Sequence, residues 1–168
     1  NPVEGGDTLI MPLNMTTVGE GGAGEQEEDD SERSQLIKLQ VEALSRVVQE
    51  EADRQLKRLK SSARRKEPKQ FCSWIAESFL SDQNRVAFAD NIKHVVAPLA
   101  TLANVPVPEL SNSIRTGFFS SLSIDLQETT IAENVPNEVF VRSVSDACEL
   151  FANNYTSSLT SRIEELVR

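Results

Sequence analysis

From about position 34 to the end of the chain, apolar residues recur three and four apart; before it they do not. The longest register runs from about Ser34 to Lys66. Ile37, Val41, Leu44, Val48, Ala52, Leu59 and Ala63 form one stripe of an amphipathic helix, widened in places by Leu36, Val47 and Leu56. At 1.5 Å per residue such a helix reaches roughly 48 Å, long for a domain of this size. The pattern therefore predicts a helix that projects from a bundle or packs against a copy of itself.

Glu67-Pro68 breaks the register, with Pro68 suited to the first position of a second helix whose apolar face is Phe71, Trp74, Ile75, Phe79 and Leu80. Ser81-Asp82 offers a new N-cap, and Ala89, Ile92, Val96, Leu99 and Ala103 predict a third helix in which Pro98 should introduce a kink or an early end. Val105-Pro106-Val107-Pro108 reads as an extended connector. Glu109 then starts a fourth helix through Ile114, Phe118, Leu122 and Leu126. Asn134-Val135-Pro136 opens the last, with Phe140, Val144, Ala147, Phe151, Tyr155, Leu159, Ile163 and Leu166 as its stripe. Five helices joined by short connectors are enough to bury a core of their own.

The front of the chain differs in kind. Residues 8–18, TLIMPLNMTTV, are apolar and β-leaning, and Gly5-Gly6-Asp7 makes a turn before them. Pro12 removes a ladder donor, which limits any strand to an edge or to short pieces. One strand buries nothing by itself, so the segment predicts a pairing partner outside this chain and hence a longer parent polypeptide. Residues 19–34 are glycine-rich and then acidic, the composition of a flexible linker, with Asp29, Asp30, Ser31 and Glu32 supplying charge and capping oxygens for the helix that follows. The expected fold is mainly α: a bundle of about five helices, residues 35–168, preceded by one short β segment, residues 1–18, and a flexible acidic linker, residues 19–34.

Composition sharpens this division. Among 168 residues, six of the seven glycines fall within the first 24. The formal charge of −9 likewise belongs to the front, where residues 1–32 hold nine acids and no base. Cys72 and Cys148 both lie in helical apolar patterns and predict free, buried thiols, in keeping with a reducing compartment. No run reaches the roughly 18 apolar residues that a membrane span requires, so no membrane partner is expected. The two glycosylation sequons, at Asn14 and Asn154, read as chance.

Candidate chemistry is sparse. His94 is the single histidine, so any nucleophilic relay has only that base, with Asp90 one helical turn before it. The commoner meaning of such a pair is a surface contact or a satisfied core histidine. Cys72, Cys148 and His94 share no metal-ligand spacing, and the glycine clusters lack the lysine of a phosphate loop. No catalytic residue, metal or cofactor is expected, and no enzyme. What stands out is residues 54–69, RQLKRLKSSARRKEPK. Arg54, Lys57, Arg58, Lys60, Arg64, Arg65, Lys66 and Lys69 stand there against the lone acid Glu67. One reading is contact with DNA phosphates without sequence preference, since no base-reading pattern is interleaved. The other, which weighs more, is cations complementing a helix C-terminus or pairing with an acidic partner such as residues 25–32 of a neighbouring subunit.

Gly5-Gly6-Asp7, the apolar run through Leu9 and Ile10, and Pro12-Leu13-Asn14-Met15 together resemble a segment of the portal proteins of tailed bacteriophages, where it ends the wing region. A polar linker, a long basic-ended helix and a proline-led helix such as Pro68-Lys69-Gln70-Phe71 are similar in organisation to C-terminal extensions of that family. The resemblance implies a homo-oligomeric ring at one capsid vertex of the virion, assembled in the host bacterial cytoplasm. Double-stranded DNA is packaged and ejected through such a ring. Its partners would be the major capsid protein, a head-tail adaptor and the terminase. This chain would supply the last wing strand and a helical, crown-like region; Gly5, Gly6, Asp7, Pro12 and Asn14 would be structural. The portal's wing, stem and clip core has no counterpart in these residues, so none of its channel residues carries over. A helical adaptor or scaffolding-type module of virion assembly is the competing expectation.

Overall fold

The computed structural model describes the backbone of residues 20–129 and 135–168 and the side chains of residues 31–126 and 135–168. The β segment expected over residues 1–18, with Gly5, Gly6, Asp7, Pro12 and Asn14, lies outside the described residues. The described chain forms helices α1 (Glu20–Arg65), α2 (Pro68–Trp74), α3 (Asp82–Ala103), α4 (Val107–Thr129) and α5 (Asn137–Leu166), with a π-helical turn at Ile75–Phe79 after α2. No strand occurs among the described residues.

The first departure from expectation is at the start of α1. Composition predicts a linker over residues 19–34, whereas the helix already begins at Glu20. Glutamates and aspartates near a helix N-terminus are favoured by its dipole, and the run from Glu25 to Glu32 extends the helix ahead of its apolar stripe. Residues 31–36 are exposed, and Leu36 and Leu39 remain 50% and 60% accessible. The chain divides into two units at Leu39/Gln40, five residues beyond the expected boundary, and α1 crosses the division.

Within the unit Gln40–Arg168, α1 contributes Val41, Leu44, Val48, Ala52, Leu56, Leu59 and Ala63 to the core. Between these lie Ser45, Glu51, Gln55 and Ser62, also buried, which the apolar periodicity passes over. Cross-helix hydrogen bonds give the directions. Asn91 donates to Glu51 at 3.0 Å, while Asn84 meets Gln55 and Arg58 at 3.3 and 2.8 Å, so α1 and α3 run antiparallel. Thr160 of α5 donates to Ser45 at 3.2 Å.

The centre of the bundle is aromatic. Phe118 of α4 stacks on Phe88 of α3 at 4.8 Å between ring centroids and meets Phe151 and Tyr155 of α5 edge-on at 5.6 and 5.5 Å. Phe119 extends the cluster to Phe79 at 6.0 Å. Edge-to-face and offset pairs at these spacings each add about 0.5–1.5 kcal/mol beyond area burial. Phe71 joins α2 to the first turn of α5 through an edge contact with Phe140 at 5.3 Å.

Several boundaries carry visible causes. Glu67 precedes α2, and its N–H donates to Gln70 Oε1 at 3.4 Å. Ser81 caps α3 as expected, its Oγ accepting from the Asn84 N–H at 3.3 Å. Asn104 closes α3 in the left-handed conformation, φ 61°, one of the few roles in which a non-glycine residue settles there. Pro98 does not end α3, which continues to Ala103. The fourth helix starts two residues before Glu109 because Pro108, in its first turn, has no N–H that the helix needs to satisfy. The second helix does not reach Leu80 in α form. It passes into the π-turn, where the Leu80 N–H reaches Ile75 O at 2.9 Å, five residues back.

Candidate functional site

The basic stretch occupies the last turns of α1, the bend at Lys66-Glu67 and the start of α2, and the structure separates its eight cations into different roles. Arg54 pairs with Glu51 through Nε at 3.0 Å and through a second, closer guanidinium contact. Glu51 is almost wholly buried, and it also accepts from Gln55 at 3.1 Å and Asn91 at 3.0 Å. Arg54 itself is 60% exposed, so it bridges a buried carboxylate to solvent. Its role is structural.

Arg58 is fixed differently. Its guanidinium donates to Asn84 Oδ1 at 2.8 Å and Gln55 Oε1 at 3.2 Å, both neutral acceptors, and lies 5.9 Å from the Trp74 ring and 5.8 Å from that of Phe79. Neutral acceptors orient a cation without cancelling it. Lys66 Nζ also lies against Trp74, 5.8 Å from the ring centre. Contacts of this kind contribute about 0.5–2 kcal/mol according to exposure.

Lys57, Arg58, Arg65 and Lys66 converge on one open depression of about 380 Å³, whose remaining lining is Ser61, Ser62 and Trp74. Lys57 and Arg58 come from one turn of α1, Arg65 from two turns further on, and Lys66 from the residue that follows the helix. Arg58 also borders a second depression of about 370 Å³, where Glu77, Ser78, Ser81, Gln83, Asn84 and Ala87 make the lining mixed in character. Lys60, Arg64 and Lys69 do not line the first depression. Lys60 is half-buried and faces α5, where its charge partly opposes the burial that pushes the Cys148 thiol up to about 11. Arg64 and Lys69 are exposed. Among the described residues, the only ion pair made by the whole stretch is that of Arg54 with Glu51.

Other candidate groups are placed as follows. His94 and Asp90 are both exposed on α3, and no hydrogen bond joins them. Cys148 is buried, whereas Cys72, expected to be buried, is only partly covered; neither forms a disulfide. Tyr155 has its phenol raised by burial against the opposing charge of Arg162. No helix among the described residues is long and apolar enough to cross a membrane, and no group of three or more metal-ligating side chains occurs among them.

Ser61, Ser62 and Trp74 are the members of the depression that charge counting leaves out. Trp74 was legible as an apolar position of the second helix. Ser61-Ser62 sit between the two basic clusters at helical spacing from Arg58 and Arg65, which is the pattern that places them among the cations. No protein-family model, curated protein or solved structure matches this chain.

Proposed function

We propose that this chain is a structural, non-enzymatic part of a tailed-phage portal, contributing the end of the wing and a helical crown-like region to a ring at the capsid vertex of the virion. The observation that carries the reading is the segment Gly5-Gly6-Asp7 to Pro12-Leu13-Asn14-Met15 placed ahead of a helical module. A helical bundle after that segment, with a long first helix ending in cations and a proline-led second helix, supports it. In this reading the module catalyses nothing. It packs against neighbouring copies, lies along the path of double-stranded DNA, and takes the capsid protein, head-tail adaptor and terminase as the partners of the assembled ring.

Electron micrographs of the polypeptide that carries this chain provide the test. The expected outcome is closed rings, with residues 8–18 protected from hydrogen exchange only in the ring, where a neighbouring strand pairs with them. Monomers in which residues 8–18 exchange freely would remove the portal reading. They would favour a helical adaptor or scaffolding-type module of virion assembly. That second reading draws on one observation, the exposure of Leu36 and Leu39 on α1, apolar side chains suited to a protein partner.

A further inference from the structure

The depression between the end of α1 and α2 has more positive charge than the fold requires. A helix C-terminus presents about half a negative charge, which one nearby cation offsets. Lys57, Arg58, Arg65 and Lys66 all border this one depression, and none is ion-paired among the described residues. Like charges held this close repel one another, which is unfavourable unless an anion joins them.

The non-ionic lining points the same way. Ser62 is 3% exposed and its hydroxyl has no hydrogen-bond partner among the described residues, although it borders the depression. A buried hydroxyl without a partner is costly, and a ligand acceptor oxygen would relieve it. Arg58 is held in advance by Asn84 and Gln55, so ordering it on binding costs little further entropy.

The indole decides which phosphate ligand fits. Phe71 and Phe79 lie 6.0 and 5.6 Å from Trp74 between ring centroids, and the Arg58 and Lys66 cations sit at 5.9 and 5.8 Å. With two rings and two cations already around it, Trp74 is a poor platform for an unstacked base. Single-strand recognition depends on such platforms. Contact with a duplex backbone does not.

We propose that Lys57, Arg58, Arg65 and Lys66, with the hydroxyls of Ser61 and Ser62, form a seat for a backbone phosphate of duplex DNA. The cations supply charge, the serines donate to phosphate oxygens, and Trp74 holds two of the cations in place. The contact reads no sequence. Trp74 argues against an unstacked single strand, the choice of DNA over other duplex polymers rests on the portal reading, and the phosphate seat itself rests on the geometry.

Trp74 is the single tryptophan of the chain and borders the seat, so its fluorescence reports occupancy directly. The 168-residue chain is titrated with a 20-base-pair duplex at about 50 mM salt, with inorganic phosphate and a single strand of the same length as parallel arms. A saturable fluorescence change with the duplex is expected, indifferent to its sequence, with log K falling by about 0.9 per log unit of salt for each phosphate engaged. Lys57→Gln with Arg65→Gln, both at exposed positions, should weaken binding at least about tenfold and lower the salt slope by about 0.9, the share of the one phosphate seated. Arg142→Gln, exposed on α5, should change neither.

Three results would overturn the seat: no response to duplex, an equal loss with Arg142→Gln, or a change that follows protein concentration and ignores DNA, which would assign the cations to the acidic segment of a second copy. Saturation by millimolar inorganic phosphate, or tighter binding of the single strand, would overturn duplex DNA as the ligand. Rings without DNA binding would leave the portal reading standing, and DNA binding without rings would leave the seat standing.

Discussion

Phe118 touches more of the aromatic cluster than any other ring described, with Phe88, Phe119, Phe151 and Tyr155 around it and no solvent access. Truncating it removes contacts to two neighbouring helices at once. Phe118→Ala should cost about 3–5 kcal/mol, read as a fall in the urea midpoint. Cys148 makes a different prediction. Its thiol is pushed up to about 11 from an ordinary value of 9.0, so the folded state favours the protonated form. That contribution is fully present below pH 9. It is lost as pH rises toward 11, because the unfolded chain ionises first; two pH units correspond to about 3 kcal/mol at most. Melting temperature should therefore fall between pH 9 and pH 11, and Cys148→Ala should flatten that fall. An equally steep fall in the variant would assign the alkaline loss to Tyr155, whose phenol is raised by burial. Cys148 was partly legible as a candidate buried thiol, although the stripe picked its neighbour Ala147, which is only half-buried. The burial of Glu51 was not legible. Its position falls within the stripe, but only the approach of Asn91 from α3 shows why a carboxylate is tolerated there.

At the scale of elements, periodicity located all five helices, because each buries a stripe of large side chains that recurs on a helical pitch. Their ends were legible where a local group sets them, as Ser81 does. Ser81→Ala removes the oxygen that accepts from Asn84 N–H and should cost about 1 kcal/mol. Thermal melts of the pair of proteins would show it, and an unchanged midpoint would mean that Asn84, held through its amide by Phe79 O and Gln55, fixes the turn alone. What the pattern did not show depends on competition between comparable terms. The glycines at 21, 22 and 24 each disfavour helix by about 1 kcal/mol relative to alanine. They are offset by acids near the helix start and by continuity with a strong helix after Ser34. Pro98 illustrates the same balance, since packing of Val96, Leu99 and Ala100 holds α3 together across it.

At the scale of the whole molecule, every core side chain of the described chain belongs to Gln40–Arg168. Removing residues 1–39 should therefore leave a protein that melts cooperatively at nearly the same temperature as the parent. Circular dichroism on residues 40–168 measures this, and a broad, non-cooperative melt would mean that the earlier residues complete the core. The phosphate seat was half legible at this scale. Eight cations were visible in the sequence, but only the fold separates Arg54, committed to Glu51, from the four that converge beside Trp74.

The π-turn at Ile75–Phe79 bears on how this chain tolerates changes of length. A π-turn accommodates one residue more than the α-helical path over the same span. Dropping a residue there leaves an ordinary α-turn, with the faces on either side kept in register. Elsewhere in a helix, one missing residue rotates all that follows by about 100° and turns its apolar face from the core. Deleting Glu77, exposed within the turn, should leave a folded protein with its melting temperature little changed. Deleting Lys93, equally exposed in the middle of α3, should swing Val96 and Leu99 out of the interior and abolish cooperative melting. Comparable damage from the two deletions would mean that the extra residue is required for packing Phe79. The contrast expected here makes the turn the site of this bundle where natural insertions and deletions should gather.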